Sequence, residues 1–356
     1  MIESMKHGRR SGQIRYLPSL QRKKLTLANF IVLIHFYMPE HCLPSVEERE
    51  GWMSGELHQL AQSGKAASAQ AWIYRTFLNL STTGARVELC HQIPKEGVVV
   101  ALTGNLPRDF KCPEWIYLIG VVADGIPHPA CHFHILQNAK HAARLARSTY
   151  IPHWPQPGLA PRNRERGDRF ENIYFFGDPP NLAPELRDPS FSNTLRERLG
   201  LNLVIAGSNR WHDYSEADCV IAIREFGTRD FLGKPSTKLY NAWMAGVPFI
   251  GGSDAAFERD GMPGIDYLRC DTLQSVFTAL EQLKDNTALR HRLVTEGSCS
   301  ARHFTSEAIT VIWTDFIDRI IATNAPDHFS QSLASKKLRR LIQRIDLSVD
   351  RYKGGF

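Results

Sequence analysis

The segment at residues 234–238 (KPSTK) combines two lysines with two hydroxyl side chains. It follows an apolar run at residues 218–223 and precedes a predicted helix. The free N–H groups of a helix start, together with two ammonium groups, are suited to an anion such as a diphosphate. The position agrees, because ligands of open α/β sheets bind beyond the carboxyl ends of strands. The alternative is that Ser236 or Thr237 only caps the helix and that the lysines are solvated.

Both halves of the chain contain the elements needed to position this segment. The apolar run at residues 29–39 predicts a strand buried on both faces, and short strands and helices then alternate as far as a Pro- and Gly-rich stretch. The same alternation begins again near residue 169. The sequence predicts an α/β fold with two Rossmann-like domains, whose parallel sheets face each other across a cleft. The predicted divisions are a basic arm (1–28), a first domain (29–161), a linker (162–168), a second domain (169–325) and a basic amphipathic C-terminal helix or tail (326–356).

Composition limits the class of protein. The 356 residues carry a formal net charge of +6, which is compatible with a phosphate-bearing ligand, an anionic membrane or nucleic acid. No aromatic and basic motif of a nucleic-acid-binding module is present, so we expect no nucleic-acid partner. The seven cysteines stand without Cys-x-x-Cys spacing and predict reduced thiols. No secretory or membrane-spanning apolar run is evident, and we expect a cytoplasmic protein.

Two consecutive segments, ADCVIAIREFG (217–227) and KLYNAWMAGVPFIGG (238–252), resemble the donor domain of GT-B glycosyltransferases. IPHWPQPGL (151–159) is similar to the entry into the linker of that family, and ENIYFFG (171–177) to its first donor-domain strand. The likeness is greatest to bacterial members that make surface polysaccharides. It implies a hexosyltransferase-like enzyme that moves a sugar from a nucleoside-diphosphate sugar to a hydroxyl of a glycan or lipid-linked acceptor. The first domain would hold the acceptor and the second the donor.

The resemblance also implies roles for individual residues. Gly177 would lie beneath the donor phosphates, and the diphosphate would be held by Lys234, Ser236, Thr237 and Lys238 with help from Arg224. Asn241 stands where many retaining members have a glutamate that binds the donor ribose. Neither the donor base nor the stereochemical outcome can therefore be carried over from the family.

The segment RWHDY (210–214) supplies candidates for the nucleoside pocket. Trp211, His212 and Tyr214 precede a donor-domain strand, although Asp213 in the same segment would also serve as a helix cap. No Asp-x-Asp occurs in the chain, which favours cationic side chains over a metal at the leaving group. We expect no metal and no cofactor beyond the nucleotide sugar as co-substrate.

An inverting transfer would need a base in the first domain. Asp124 follows the apolar strand IYLIGVV and should project from its carboxyl end, and His128 is the alternate base. The competing interpretation is that Asp124 only forms a turn beside Gly125.

In the tail, residues 335–352 carry apolar side chains at helical spacing between basic ones. They predict either peripheral contact with the inner face of the membrane or a helix that packs on the first domain. Two other functions remain open for the whole chain, which are a nucleotide-sugar epimerase and a non-catalytic nucleotide-sugar-binding scaffold.

Overall fold

The structure is a computed structural model that describes residues 33–46, 48–49 and 64–352. The predicted basic arm and the first residues of the predicted first strand lie outside the described residues. Within these ranges the chain forms two parallel sheets, with strand orders β2-β1-β3-β4-β5-β6 and β11-β10-β9-β7-β8. Helices flank both sheets, as an α/β fold of two Rossmann-like domains requires.

The first sheet is built from apolar runs. Its central strands β3 and β4 are buried along almost their whole length, as parallel strands covered on both faces must be. The strands are β1 (Ile34–Tyr37), β2 (Val87–Cys90), β3 (Gly97–Leu102), β4 (Ile116–Val122), β5 (Phe133–Leu136) and β6 (Ser148–Tyr150).

The second sheet begins with the strand ENIYFFG that the sequence predicts. Its strands are β7 (Asn172–Phe176), β8 (Asn202–Ala206), β9 (Cys219–Ala222), β10 (Phe249–Gly251) and β11 (Leu268–Arg269).

The helices follow the strands in the crossover positions that parallel sheets require. A π-helical turn at Gln70–Tyr74 joins the first two helices, and another at Ile317–Ile321 joins the tenth and eleventh. The helices are α1 (Gly64–Ala69), α2 (Arg75–Ser81), α3 (Ala139–Ala142), α4 (Pro184–Arg187), α5 (Pro189–Leu199), α6 (Thr237–Ala245), α7 (Ala255–Asp260), α8 (Leu273–Asp285), α9 (Thr287–Ala301), α10 (Ser306–Phe316), α11 (Ala322–Ser330) and α12 (Leu333–Tyr352).

The last helices return to the first sheet. Trp313 and Phe316 of α10 are buried in the same apolar core as Phe36 of β1, although the sequence-based division places residues up to 325 in the second domain. Leu347 of α12 packs against Val122 at the end of β4. Helices α10 and α12 therefore pack on the first sheet, which is one of the two alternatives for the tail.

The predicted linker is tied to the second sheet by a buried ion cluster. The carboxylate of Asp218, only 2% exposed, accepts hydrogen bonds from Arg162 and Arg166 and from the backbone N–H groups of Glu171 and Asn172. Burial raises the pKa of Asp218, but these hydrogen bonds, led by Arg166, outweigh it and hold the pKa below its ordinary value. The cluster fixes the start of β7, whose other end carries Gly177.

Candidate functional site

A cavity of about 600 Å³ lies where the carboxyl ends of the two sheets meet. One side, here called the first-sheet wall, contains Leu102 at the end of β3 and Asp124 after β4. The opposite side, the second-sheet wall, contains Gly177 after β7, Arg224 after β9 and the start of α6. This is the edge at which α/β sheets bind ligands. Most of the residues that the sequence singles out are therefore brought to one cavity.

The segment 234–238 forms the turn into α6, as predicted. Lys234, Thr237 and Lys238 line the cavity, whereas Ser236 is 1% exposed and does not. The Ser236 hydroxyl instead donates a hydrogen bond to the Asp260 carboxylate. The structure therefore places three of the four predicted diphosphate residues of this segment at the cavity and gives the fourth a partner elsewhere.

Lys238 is the least compensated cation of the cavity. Its Nζ lies 5.6 Å from the centre of the Phe175 ring and makes no ion pair with any carboxylate of the described residues. Burial, followed by the nearby Arg224 guanidinium, lowers the pKa of Lys238 to about 7. An anionic ligand would raise this pKa again, because it would supply the missing opposite charge.

Gly177 has no side chain, and this leaves space for the side chain of Lys238. A Cβ atom at this glycine would stand 3.0 Å from Lys238 Cε, 3.2 Å from Lys238 Nζ and 3.0 Å from the Phe175 ring. The absence of a side chain thus lets the ammonium group approach the end of β7. This agrees with a glycine beneath a bound phosphate, although the role itself stays a prediction.

Arg224 is held in place by two partners on its own wall. Its Nε lies 3.0 Å from Asp254 Oδ2, and it donates a second hydrogen bond to Asn181 Oδ1 at 3.1 Å. Burial raises the pKa of Asp254 to about 6, although the Arg224 charge opposes the shift. Arg224 therefore has a fixed orientation toward the cavity, and part of its charge is neutralised.

Lys234 and Asp124 join the two walls. Lys234 Nζ lies 3.3 Å from Asp124 Oδ2, and Gln137 donates hydrogen bonds both to Asp124 Oδ1 at 2.8 Å and to the Gly233 carbonyl at 2.7 Å. Asp124 has a φ of +48°, in the left-handed region that aspartate tolerates better than most residues. The candidate base is therefore presented by an unusual turn and is paired with a cation of the opposite wall.

The nucleoside candidates divide into two groups. Tyr214 and Asn241 line the cavity, as does Trp211, while His212 does not. The Tyr214 ring is stacked on Phe176 with centroids 3.9 Å apart, and Asn241 Oδ1 accepts a hydrogen bond from the Gln156 backbone N–H at 3.0 Å. The described residues thus provide an aromatic and amide surface beside the cationic group.

The two histidines near the first-sheet wall differ from expectation. His128, the alternate base, does not line the cavity, and its ring nitrogens contact the Pro107 carbonyl at 2.9 Å and the Ala130 backbone N–H at 3.2 Å. His153 lines the cavity but was not predicted. Its Nδ1–H donates to the Trp154 carbonyl, and burial lowers the pKa of His153 to about 4. His153 is thus a neutral acceptor rather than a strong base.

Comparison with known proteins begins with two negative results: no family model matches the sequence, and no curated protein matches it. Solved structures do match. A sucrose-phosphate synthase from Thermosynechococcus elongatus superposes with a TM-score of 0.53 at 10% identity, over 82% of this chain and 99% of that one. The chain has the GT-B fold. This confirms the fold prediction, while at 10% identity the roles of the residues depend on the site geometry alone.

Two further GT-B structures match with lower scores. HepE from Anabaena, solved in complex with UDP and glucose, matches at 10% identity and a TM-score of 0.47, over 81% of this chain and 100% of that one. AviGT4, a glycosyltransferase involved in avilamycin A biosynthesis, matches at 15% identity and a TM-score of 0.48, over 70% of this chain and 89% of that one.

Proposed function

We propose that the chain is a glycosyltransferase that moves a sugar from a nucleoside-diphosphate sugar to a hydroxyl of a glycan or lipid-linked acceptor, in surface polysaccharide biosynthesis. The observation that carries the proposal is the unpaired Lys238 ammonium beside Gly177, with Arg224 and Lys234 on the same wall. A diphosphate would satisfy all three cations. Each charge-assisted hydrogen bond contributes about 1.5–3 kcal/mol, enough to dominate donor binding.

The same cations would act on the leaving group. When the bond between the anomeric carbon and the diphosphate oxygen breaks, negative charge develops on that oxygen, and fixed cations in a site with little water stabilise it. We therefore propose that transfer needs no metal ion. Arg224 is suited to this task because Asp254 and Asn181 fix its orientation before the donor binds.

Asp124 is the proposed base for an inverting transfer. The acceptor hydroxyl would give its proton to the Asp124 carboxylate as its oxygen bonds to the anomeric carbon, and the nucleoside diphosphate would leave. Lys234 pairs with that carboxylate, with its Nζ 3.3 Å from Asp124 Oδ2. A donor diphosphate would compete for Lys234, so donor binding would free the base for the acceptor.

The transferase is distinguished from the two alternatives by its products. We would incubate the full chain in EDTA with each common nucleotide sugar, with and without a set of hydroxyl acceptors, and measure the nucleoside diphosphate released and the sugar product by mass spectrometry. The transferase predicts diphosphate release and a heavier acceptor. Conversion of the donor sugar without an acceptor would identify an epimerase. Binding without any turnover would identify a scaffold, and each of these two results would overturn the proposal.

We further propose that α12 brings the enzyme to the inner face of an anionic membrane. Six apolar side chains of this helix are 44–59% exposed, and helical periodicity places five of them on one face, namely Leu338, Leu341, Ile342, Ile345 and Val349. The opposite face makes the contacts to the protein, through Lys336, Gln343 and Asp350. An apolar face that is left outward matches the acyl region of a bilayer rather than a protein core.

The charges beside this face favour a bilayer as the occupant. Lys337 and Arg344 are exposed residues on one flank of the apolar face, and Arg339 is exposed on the other. Basic residues near an anionic surface each contribute about 1 kcal/mol to binding. In a pairing of two copies through this face, the flanking cations would instead repel one another.

Sedimentation with vesicles tests this contact. The wild type should bind phosphatidylglycerol vesicles better than phosphatidylcholine vesicles, and Leu341→Ser/Ile345→Ser should lose that binding. Val311→Ser is the matched control, because Val311 is 61% exposed on α10, outside this face. A double variant that keeps vesicle binding, or that only lowers the oligomeric mass in solution, would contradict the membrane contact.

A further inference from the structure

A second cavity, of about 210 Å³, lies at the opposite edge of the first sheet from the cleft. It is lined by Tyr117 at the start of β4, His132 just before β5 and Arg147 just before β6, and α11 and α12 close it from outside. Strand β4 is seven residues long and separates the two cavities by roughly 23 Å. This site is therefore not part of the candidate donor cleft.

The lining of this cavity is strongly basic. Four cationic side chains line it, from Arg147, Lys336, Arg339 and Arg340, against one carboxylate, Asp327. Lys336 lies 3.8 Å from the Glu114 carboxylate just outside the lining. Within the described ranges, neither Arg147 nor Arg339 pairs with a carboxylate. Cations gathered at this density repel one another unless an anion lies among them.

Two buried N–H groups at the cavity lack partners. His132 is 8% exposed, and its Nδ1 accepts a hydrogen bond from the Leu118 backbone N–H at 2.9 Å, so that its proton is on Nε2. That Nε2 has no hydrogen-bond partner among the described residues, and the same is true of Arg340 Nε. Buried donors are nearly always satisfied in folded proteins, so two beside one basic cavity indicate a missing acceptor.

We propose that this cavity binds a phosphate group, held by Arg147, Arg339 and Arg340 with a hydrogen bond from His132 Nε2. The group would be a phosphate monoester or inorganic phosphate in solution, or the headgroup of an anionic phospholipid. A lipid headgroup is included because Arg339 and Ile342 are neighbours on the surface of α12, and Ile342 belongs to the exposed apolar face. In either case the bound phosphate would fasten α12 to the edge of the first sheet. The site does not depend on the proposed transferase activity.

Calorimetric titration of the full chain tests the site. The ligands would be inorganic phosphate, dihexanoyl phosphatidate and, as the neutral-headgroup control, dihexanoyl phosphatidylcholine. Arg147→Gln/Arg339→Gln changes only exposed lining residues and should weaken phosphate binding at least tenfold. Lys95→Gln/Arg108→Gln removes two exposed charges that line neither cavity, and this variant should bind phosphate as the wild type does.

The outcomes distinguish a lipid headgroup from phosphate in solution, and this cavity from the cleft. Tighter binding of phosphatidate than of inorganic phosphate would assign the site to a lipid headgroup, and equal binding would assign it to phosphate in solution. Lys238→Met, which alters only the cleft, should retain this binding even if the proposed donor site fails. If no phosphate compound binds in a way that depends on Arg147 and Arg339, while circular dichroism shows folded variants, the inference is overturned.

Discussion

The two walls of the cleft are built on the same kind of sheet edge but carry opposite chemistry. The second-sheet wall offers the three cations Arg224, Lys234 and Lys238 and one carboxylate, Asp178. The first-sheet wall offers mostly small residues, the neutral His153 and the carboxylate of Asp124, and no cation. Only the second wall contains a cation with no ion-pair partner among the described residues. The difference agrees with our proposal that one wall binds the donor diphosphate and the other accepts the proton of the acceptor hydroxyl.

The largest effect should come from the carboxylate of the first-sheet wall. Asp124→Asn removes the proposed proton acceptor, and turnover should fall about 10²- to 10⁴-fold. Donor affinity should stay the same or rise, because Lys234 loses its ion-pair partner. Steady-state kinetics with titration of the donor separates the two quantities, and the exposed Asp109→Asn is the control. A loss of donor affinity without a loss of turnover would show that Asp124 acts in donor binding and not in proton transfer.

On the second-sheet wall, Lys238→Met should weaken nucleoside diphosphate binding roughly 10- to 150-fold, as expected from one lost charge-assisted hydrogen bond. The exposed Lys95→Met should have no such effect. The empty Lys238→Met protein should also melt at a higher temperature than the wild type at neutral pH. The reason is that the folded state holds the pKa of Lys238 near 7, well below its ordinary value of 10.5. The unfolded state therefore binds more protons between these values, and wild-type stability should rise with pH across this window.

Donor affinity should itself depend on pH. With the pKa of Lys238 at about 7 in the empty protein and raised by a bound diphosphate, Kd should rise about tenfold per pH unit above pH 7. Arg224, Lys234, Asp124 and Asp254 also act on this ammonium, and burial raises the pKa of Asp254 to about 6. Lys238→Arg should abolish the dependence above pH 7. A wild-type Kd that is constant from pH 7 to 9 would contradict the assignment.

The smallest effect is expected when one glycine from each wall is replaced by alanine. Gly177→Ala would push a methyl group against Lys238, and overpacking of about 1 kcal/mol corresponds to roughly fivefold weaker donor binding. Gly104 lines the same cavity on the first-sheet wall, and a Cβ there would meet no heavy atom within 4 Å. Gly104→Ala should leave donor binding unchanged. Equal effects of the two substitutions, measured by titration, would remove the distinction between the walls.

Sequence patterns predicted the fold, and most of the residues that they single out line one cavity. Gly177, Arg224 and Lys238 each follow a strand or begin a helix at a carboxyl edge, and the topology alone brings such positions together. Such patterns do not predict the direction in which a side chain points within a turn. Ser236 points to Asp260, and His128 contacts the Pro107 carbonyl of the loop after β3. These partners lie 24 and 21 positions away in the chain, and no periodicity in the sequence connects them.

Two further features could not be read from the pattern. Asp254 and Asn181, which orient Arg224, are distant from it in sequence and have no spacing that connects them. For the apolar stripe of α12 the pattern could not decide between membrane contact and packing on the first domain. The stripe points outward, because Lys336, Gln343 and Asp350 on the other face find backbone or side-chain partners on the first domain. Within the described residues, no helix has the length and apolar character needed to cross a bilayer.

The most direct test of the central claim is a thermal-shift screen of the wild type and Lys238→Met against UDP, GDP, ADP, TDP and CMP in EDTA. A ligand at a hundred times its Kd adds about 2.7 kcal/mol of stability, which is readily measured. We predict that one nucleoside diphosphate raises the melting temperature of the wild type and that Lys238→Met loses most of this shift. If no nucleotide stabilises the folded wild type, or if the variant responds equally, the cleft does not bind a donor diphosphate through Lys238.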